Sequence, residues 1–160
     1  GGYRCRLFPG AWVWHKRRTD FRKFFRQVYN SGIARINLQK RHPGSLKIVH
    51  LLPMVFTVGV IFLMLLFVSG PILGHTVLRH CDLPVGGLIS LAALTPLVLY
   101  SLLIFVDSSR QNHSLKIGLL SIRAAFTQLM GYGMGFIEAW WKRCVFGKDE
   151  FSAFEKNFYK

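Results

Sequence analysis

The sequence predicts a mainly α-helical integral membrane protein. Its expected parts are a short strand remnant, a basic amphipathic interface helix, two transmembrane helices and a third membrane-embedded helical segment. Three observations carry this. The chain has 160 residues, 51% of them hydrophobic, with 14 Phe and 4 Trp. It also carries 21 Lys and Arg against 7 Asp and Glu. Charge and apolar residues are segregated along it. Twelve basic residues (Arg4, Arg6, Lys16, Arg17, Arg18, Arg22, Lys23, Arg26, Arg35, Lys40, Arg41 and Lys47) precede residue 48, with Asp20 the one acid among them. The apolar and aromatic content excludes a disordered chain. A basic block abutting long uncharged runs is the pattern of a membrane protein's cytoplasmic face. Nucleic acid is therefore not expected as a partner.

Residues 1–47 open with Tyr3–Phe8, which alternates roughly and ends at Pro9-Gly10. It reads as a short strand and a turn, and Ala11–Trp14 as a second extended piece. Thr19 is the expected helix N-cap, with Asp20 in the first turn. Phe21, Phe24, Phe25, Val28, Tyr29, Ile33 and Ile36 then recur at helical spacing. Arg22, Lys23 and Arg26 take the other side. This suits a helix lying in a membrane interface, or one packed on a soluble domain. Ser31-Gly32 should weaken it, and Pro43-Gly44 separates it from the first apolar run.

Residues 48–69 and 85–106 are two runs of 22 residues without formal charge. As helices each would reach roughly 33 Å, enough for a hydrocarbon core of about 30 Å. Pro53 sits near the start of the first, where a missing N–H costs least. Pro96 should kink the second. Residues 70–84 are expected as an external loop and residues 107–114 as a cytoplasmic one. Residues 115–141 form the third segment, embedded or re-entrant. Arg123 and Glu138 leave only 14 uncharged residues between them, too few for a secure span. Gln128 and Arg123 should face protein or water. Gly131 and Gly135 form a small-xxx-small pair that permits close helix packing. Trp140-Trp141 before Lys142-Arg143 reads as an interfacial anchor, and residues 142–160 as a basic tail.

The chain shows no recognisable catalytic machinery of its own. It has no paired carboxylates near the basic block, no Ser/His/Asp arrangement and no P-loop. Cys5, Cys81 and Cys144 are far apart and form no zinc or disulfide pattern. The spans carry no ionisable group apart from His50, which argues against a transporter. A cluster of His15, Lys16, Arg17, Arg18 and Arg35 suits phosphate, either on a diphosphate or on anionic lipid.

One stretch resembles a known family. Gly2-Tyr3-Arg4, Pro9, Trp12–Phe21 and Phe24–Arg35 are similar to the carboxyl-terminal third of bacterial membrane-anchored family 2 glycosyltransferases of GT-A type. Pro43–Lys47 and Gln128–Gly135 also look like that family. The resemblance implies an enzyme moving a sugar from a nucleotide-diphosphate sugar to a lipid-linked or cell-envelope polysaccharide acceptor. It implies a divalent metal, Mg or Mn, held at a DxD motif, and a catalytic base in an ED-like motif. Both motifs would lie upstream of Gly1, so this chain is expected to be a fragment that is inactive by itself. By resemblance His15 approaches the metal or diphosphate, Arg17 and Arg18 contact the diphosphate, and Gln27 and Arg35 lie under the acceptor. No catalytic residue is expected within the chain. The implied location is the bacterial inner membrane, multi-pass, with residues 1–47 cytoplasmic. The alternative is a non-catalytic anchor or interaction module that binds anionic lipid.

Overall fold

The computed structural model describes residues 6–12, 14, 20–76 and 85–147. Four helices account for most of them: α1 (Phe21–Arg41), α2 (Leu52–Thr76), α3 (Val85–Asn112) and α4 (Leu115–Trp140). A 3-10 turn, Ile48–His50, leads into α2, and a π turn, Trp141–Val145, ends α4. No strand is present among the described residues; residues 3–5 and 13 of the expected strand remnant lie outside them. Arg6–Phe8 and Ala11-Trp12 have no regular structure. The turn at Pro9-Gly10 is present, with Ala11 N–H donating to the Phe8 carbonyl at 3.0 Å. An isolated extended piece has no partner for its backbone groups, and a two-stranded pair alone is marginal in water.

The cap of α1 differs by one residue from the expectation. Asp20, not Thr19, caps the helix: its Oδ1 accepts from Arg22 N–H at 2.8 Å. A carboxylate there also meets the positive end of the helix dipole. Lys40 and Arg41 in the last turn suit the opposite end. After His42 the chain turns at Pro43-Gly44, where Gly44 takes φ +89°. Gln39 then holds the loop back onto the helix. Its Oε1 accepts from Leu46 N–H at 2.8 Å and from Ser45 Oγ at 3.3 Å.

α2 and α3 form an antiparallel hairpin, and both outrun their expected limits. α2 passes through Pro71 and continues to Thr76 instead of ending at Ser69. A proline removes a donor and orphans the carbonyl four residues back, here that of Phe67. Ser90 Oγ of α3 donates to that carbonyl at 2.9 Å. The hairpin is closest at the same end: a Cβ on Gly74 would lie 2.7 Å from Gly86 Cα. α3 likewise absorbs Asp107–Asn112, where Gln111 Nε2 donates to Asp107 Oδ1 at 2.9 Å. Only His113 and Ser114 remain between α3 and α4. His113 takes φ +49°, and Ser114 Oγ accepts from Ile117 N–H at 3.4 Å as the N-cap of α4.

α2 and α3 are each long and apolar enough to cross a membrane. Only 11% and 6% of their most apolar stretches are buried inside the protein. A soluble core helix would instead be covered on most of its surface.

α4 packs against all three other helices. It leaves the α3 end beside Phe105 and Ser109, which a Cβ on Gly118 would strike. Ser108 and Ser121 share a hydroxyl hydrogen bond of 2.6 Å. Phe56, Tyr100 and Phe126 meet with ring centroids 5.4–5.7 Å apart where α2, α3 and α4 converge. Beyond that point α4 stays at the first turns of α2, since a Cβ on Gly133 would lie 2.5 Å from the Pro53 carbonyl oxygen. Its last turns meet α1. Phe136 and Ala139 bury themselves with Ile33 and Ile36, flanked by Leu46, Leu51 and Met54. α1 and the end of α4 therefore gather at the start of α2.

Candidate functional site

The basic helix α1 is fixed in place by the glycines of α4. Residues two apart on a helix point to nearly opposite sides, whereas residues four apart share one. Gly131 and Gly135 accordingly face α1, and Gly133 faces α2. A Cβ on Gly135 would lie 2.8 Å from the Tyr29 carbonyl carbon, and one on Gly32 of α1 2.7 Å from Phe136 N. The two backbones thus touch at Gly32 and Gly135, which makes the expected close contact of this glycine pair a real one. α1 runs unbroken through Ser31-Gly32, and the crossing needs the glycine there.

This contact decides where the apolar side of α1 goes. Ile33 and Ile36 are 3% and 2% exposed. Val28 and Phe25 lie over Gly131. The second half of the face expected to enter lipid or meet a soluble domain is thus covered by α4 of the same chain, while Phe25 stays exposed. A second clamp joins the ends. Arg143 Nη1 in the π turn donates to Oδ1 of the buried Asn37 at 2.6 Å. Lys142 pairs with Glu138 one turn before it.

What α1 presents outward is a polar ridge. Lys23, Gln27, Ser31, Arg35 and Gln39 recur at every fourth residue, so they form one row along the helix. Ser31 Oγ donates to the Gln27 carbonyl at 3.0 Å. Gln27 is exposed and Arg35 half-buried. They stand two turns apart, roughly 12 Å along the axis, on adjacent parts of the row. The row ends where Gln39 holds the returning loop, and that loop brings Lys47 and His50 beside Arg35. Arg35 and Lys47 are the charged neighbours of the His50 ring. Lys47 N–H donates to His50 Nδ1 at 3.0 Å, which fixes the ring's orientation.

The three described acids are all engaged. Asp20 caps α1, Asp107 takes Gln111, and Glu138 takes Lys142. With Lys23 and Arg35 in it, the row can attract an anion.

Of the residues singled out from the sequence, Gln27 and Arg35 lie in this row. His15, Arg17 and Arg18 lie outside the described residues. Among the described residues no group of three or more His, Cys, Asp or Glu comes together. They do not by themselves fit the divalent metal that the resemblance implies. Sequence reasoning missed Gln39, Lys47 and His50 as companions of Arg35. Gln39 continues the fourfold spacing and was visible on that ground. Lys47 and His50 join only through the Pro43-Gly44 turn. Arg123 was expected to face protein or water. Its guanidinium lies 4.3 Å from the ring centre of Phe21, at the start of α1.

The chain matches no protein-family model, no curated protein and no solved structure.

Proposed function

We propose that this chain is the membrane-anchoring part of a bacterial family 2 glycosyltransferase working at the cytoplasmic face of the inner membrane. The parent enzyme transfers a sugar from a nucleotide-diphosphate sugar to a lipid-linked or cell-envelope polysaccharide acceptor. The observation that carries this reading is the placement of α1. A basic helix, whose sequence from Phe21 to Arg35 resembles that family, is clamped across the start of an apolar two-helix hairpin. In this arrangement α2 and α3 cross the bilayer, and α1, the α3–α4 turn and the π turn share the cytoplasmic side. α4 lies at that surface and does not cross. The concentration of Lys and Arg at that end agrees with the positive-inside tendency.

The row from Gln27 to Arg35 then lies at the membrane surface, where a lipid-linked acceptor presents its headgroup. By the same resemblance Arg17 and Arg18, with His15, stabilise charge developing on the leaving nucleotide diphosphate. The proton acceptor and the Mg or Mn ligands belong to the upstream motifs that the family pattern requires.

The test is made on the native protein isolated from its source membrane. It is incubated with labelled nucleotide-sugars, Mg or Mn, and membrane lipid. Transfer of label to lipid or polymer is expected, with loss of transfer in the Arg35→Ala protein. No transfer from any nucleotide-sugar, with a native mass near 18.3 kDa, would overturn the proposal in favour of a non-catalytic anchor.

A further inference from the structure

A groove of about 520 Å³ opens on the side of the bundle where α4 leaves the α2–α3 hairpin. Its walls are apolar: Met64 from α2, Leu94, Leu97 and Phe105 from α3, Leu119 and Phe126 from α4, with the Ser101 hydroxyl turned to the Leu97 carbonyl. Leu102 and Leu119 on its edge are 52% and 62% exposed. Its length matters. From Leu94 to Phe105 is eleven residues of α3, roughly 16 Å. That is about half of a 30 Å hydrocarbon core, the depth of a single leaflet.

The α4 wall of the groove is flanked by two cations. Lys116 and Arg123 stand two helical turns apart on α4, on the same side as Leu119. Both are exposed. The Arg123 guanidinium lies over the Phe21 ring, a cation–π contact that holds it beside the start of α1. Guanidinium and ammonium donors both suit phosphate oxygens. A hydrocarbon trough one leaflet deep, with two cations flanking its α4 wall, has the chemistry of one lipid molecule.

We propose that this groove holds an acyl chain of an anionic glycerophospholipid, whose phosphate is bound by Lys116 and Arg123. The lipid fills the wedge that α4 opens as it turns from α3 toward α1. It also ties the angle of α4, and so the position of α1, to the composition of the inner leaflet. The inference rests on α2 and α3 crossing the bilayer and is independent of the transferase reading.

The whole chain is first extracted with alkaline carbonate. Release from the membrane would overturn the spans and this site together. The chain is next purified in mild detergent, delipidated, and mixed with phosphatidylglycerol or phosphatidylethanolamine of matched chains. Bound lipid is read by native mass spectrometry. One phosphatidylglycerol per chain is expected, preferred at least tenfold over phosphatidylethanolamine. Lys116→Gln with Arg123→Gln removes that preference, and Leu97→Trp lowers occupancy by both lipids at least tenfold. Leu94→Phe shortens the groove and shifts the preference toward shorter acyl chains, an effect that misfolding would not produce. Equal retention of the two lipids by the unaltered chain, or unchanged retention by both groove variants, would overturn the proposal.

Discussion

Replacing Gly135 with alanine is the sharpest test of how α1 is held. The new Cβ would sit 2.8 Å from the Tyr29 carbonyl carbon and 3.2 Å from its Cα, with the carbonyl oxygen nearer still. Carbon atoms in good contact stand about 3.5–4.0 Å apart. The obstacle is helix backbone, so no rotamer change relieves it, and α1 must retreat by about 1 Å. A gap of that size forfeits a quarter to a half of each dispersion contact it opens. The contacts at risk are those among Ile33, Ile36, Phe136 and Ala139. Because rigid backbone is the obstacle, overpacking here falls in the upper part of its usual range, about 2–3 kcal/mol, and the better helix propensity of alanine returns about 1 kcal/mol. The net loss is about 1–2 kcal/mol, which lowers Tm by about 2–8 °C for a chain of this size. Gly59→Ala is the matched control, because a Cβ there meets nothing within 4 Å. It should raise Tm by about 2–4 °C through propensity alone. Thermal unfolding of the detergent-solubilised protein reads both. Gly135→Ala at or above the unaltered protein, with Gly59→Ala behaving as stated, would refute the backbone contact.

Three further substitutions probe the other joints. Arg143→Ala leaves the Asn37 carbonyl oxygen buried without its donor and should cost about 1–3 kcal/mol, read as a lower Tm. Gln39→Ala releases the Ser45–Leu46 loop. It should cost about 1 kcal/mol and show faster amide exchange at Leu46 with α2 and α3 unchanged. Thr57 is fully buried, and its hydroxyl donates to the Pro53 carbonyl at 2.8 Å beside Gly133. Thr57→Val should cost about 1 kcal/mol, and a rise in Tm would mean that α4 does not press on that turn.

Local signals located the helices well and placed their ends less well. The uncharged runs after residue 48 and from residue 85 stood out because a bilayer-length apolar stretch is hard to mistake. Their true ends were hidden for two reasons. Pro71 reads as a terminator unless Ser90, 19 residues on, is known to donate to the orphaned Phe67 carbonyl. Asp107 reads as loop unless the chain is seen to continue helically through Gln111. The α1 periodicity was legible, but its partner was not. Phe21 to Ile36 announces an apolar face without saying what covers it, and lipid was the nearest answer. The glycines at 131, 133 and 135 carried that information in their spacing, with alternate positions serving α1 and α2. The polar ridge was half legible. Gln27 and Arg35 were singled out by resemblance, whereas His50 enters only through the fold of residues 42–50.

In the proposed arrangement α1 and the end of α4 share one side of the membrane, while the α2–α3 connection lies on the other. Cysteine labelling tests this most directly. Cys144 is exposed in the π turn, and His42 is exposed at the end of α1. Three proteins are prepared, each with one cysteine: Cys144 alone, Cys81 alone, and His42→Cys in a chain without its native cysteines. A membrane-impermeant maleimide is applied to intact cells and to inverted vesicles. Positions 42 and 144 are expected to label only in inverted vesicles, and Cys81 only in intact cells. Labelling of 42 and 144 from opposite sides would mean that α4 crosses the bilayer, and a shared cytoplasmic side for α1 and the π turn would be wrong.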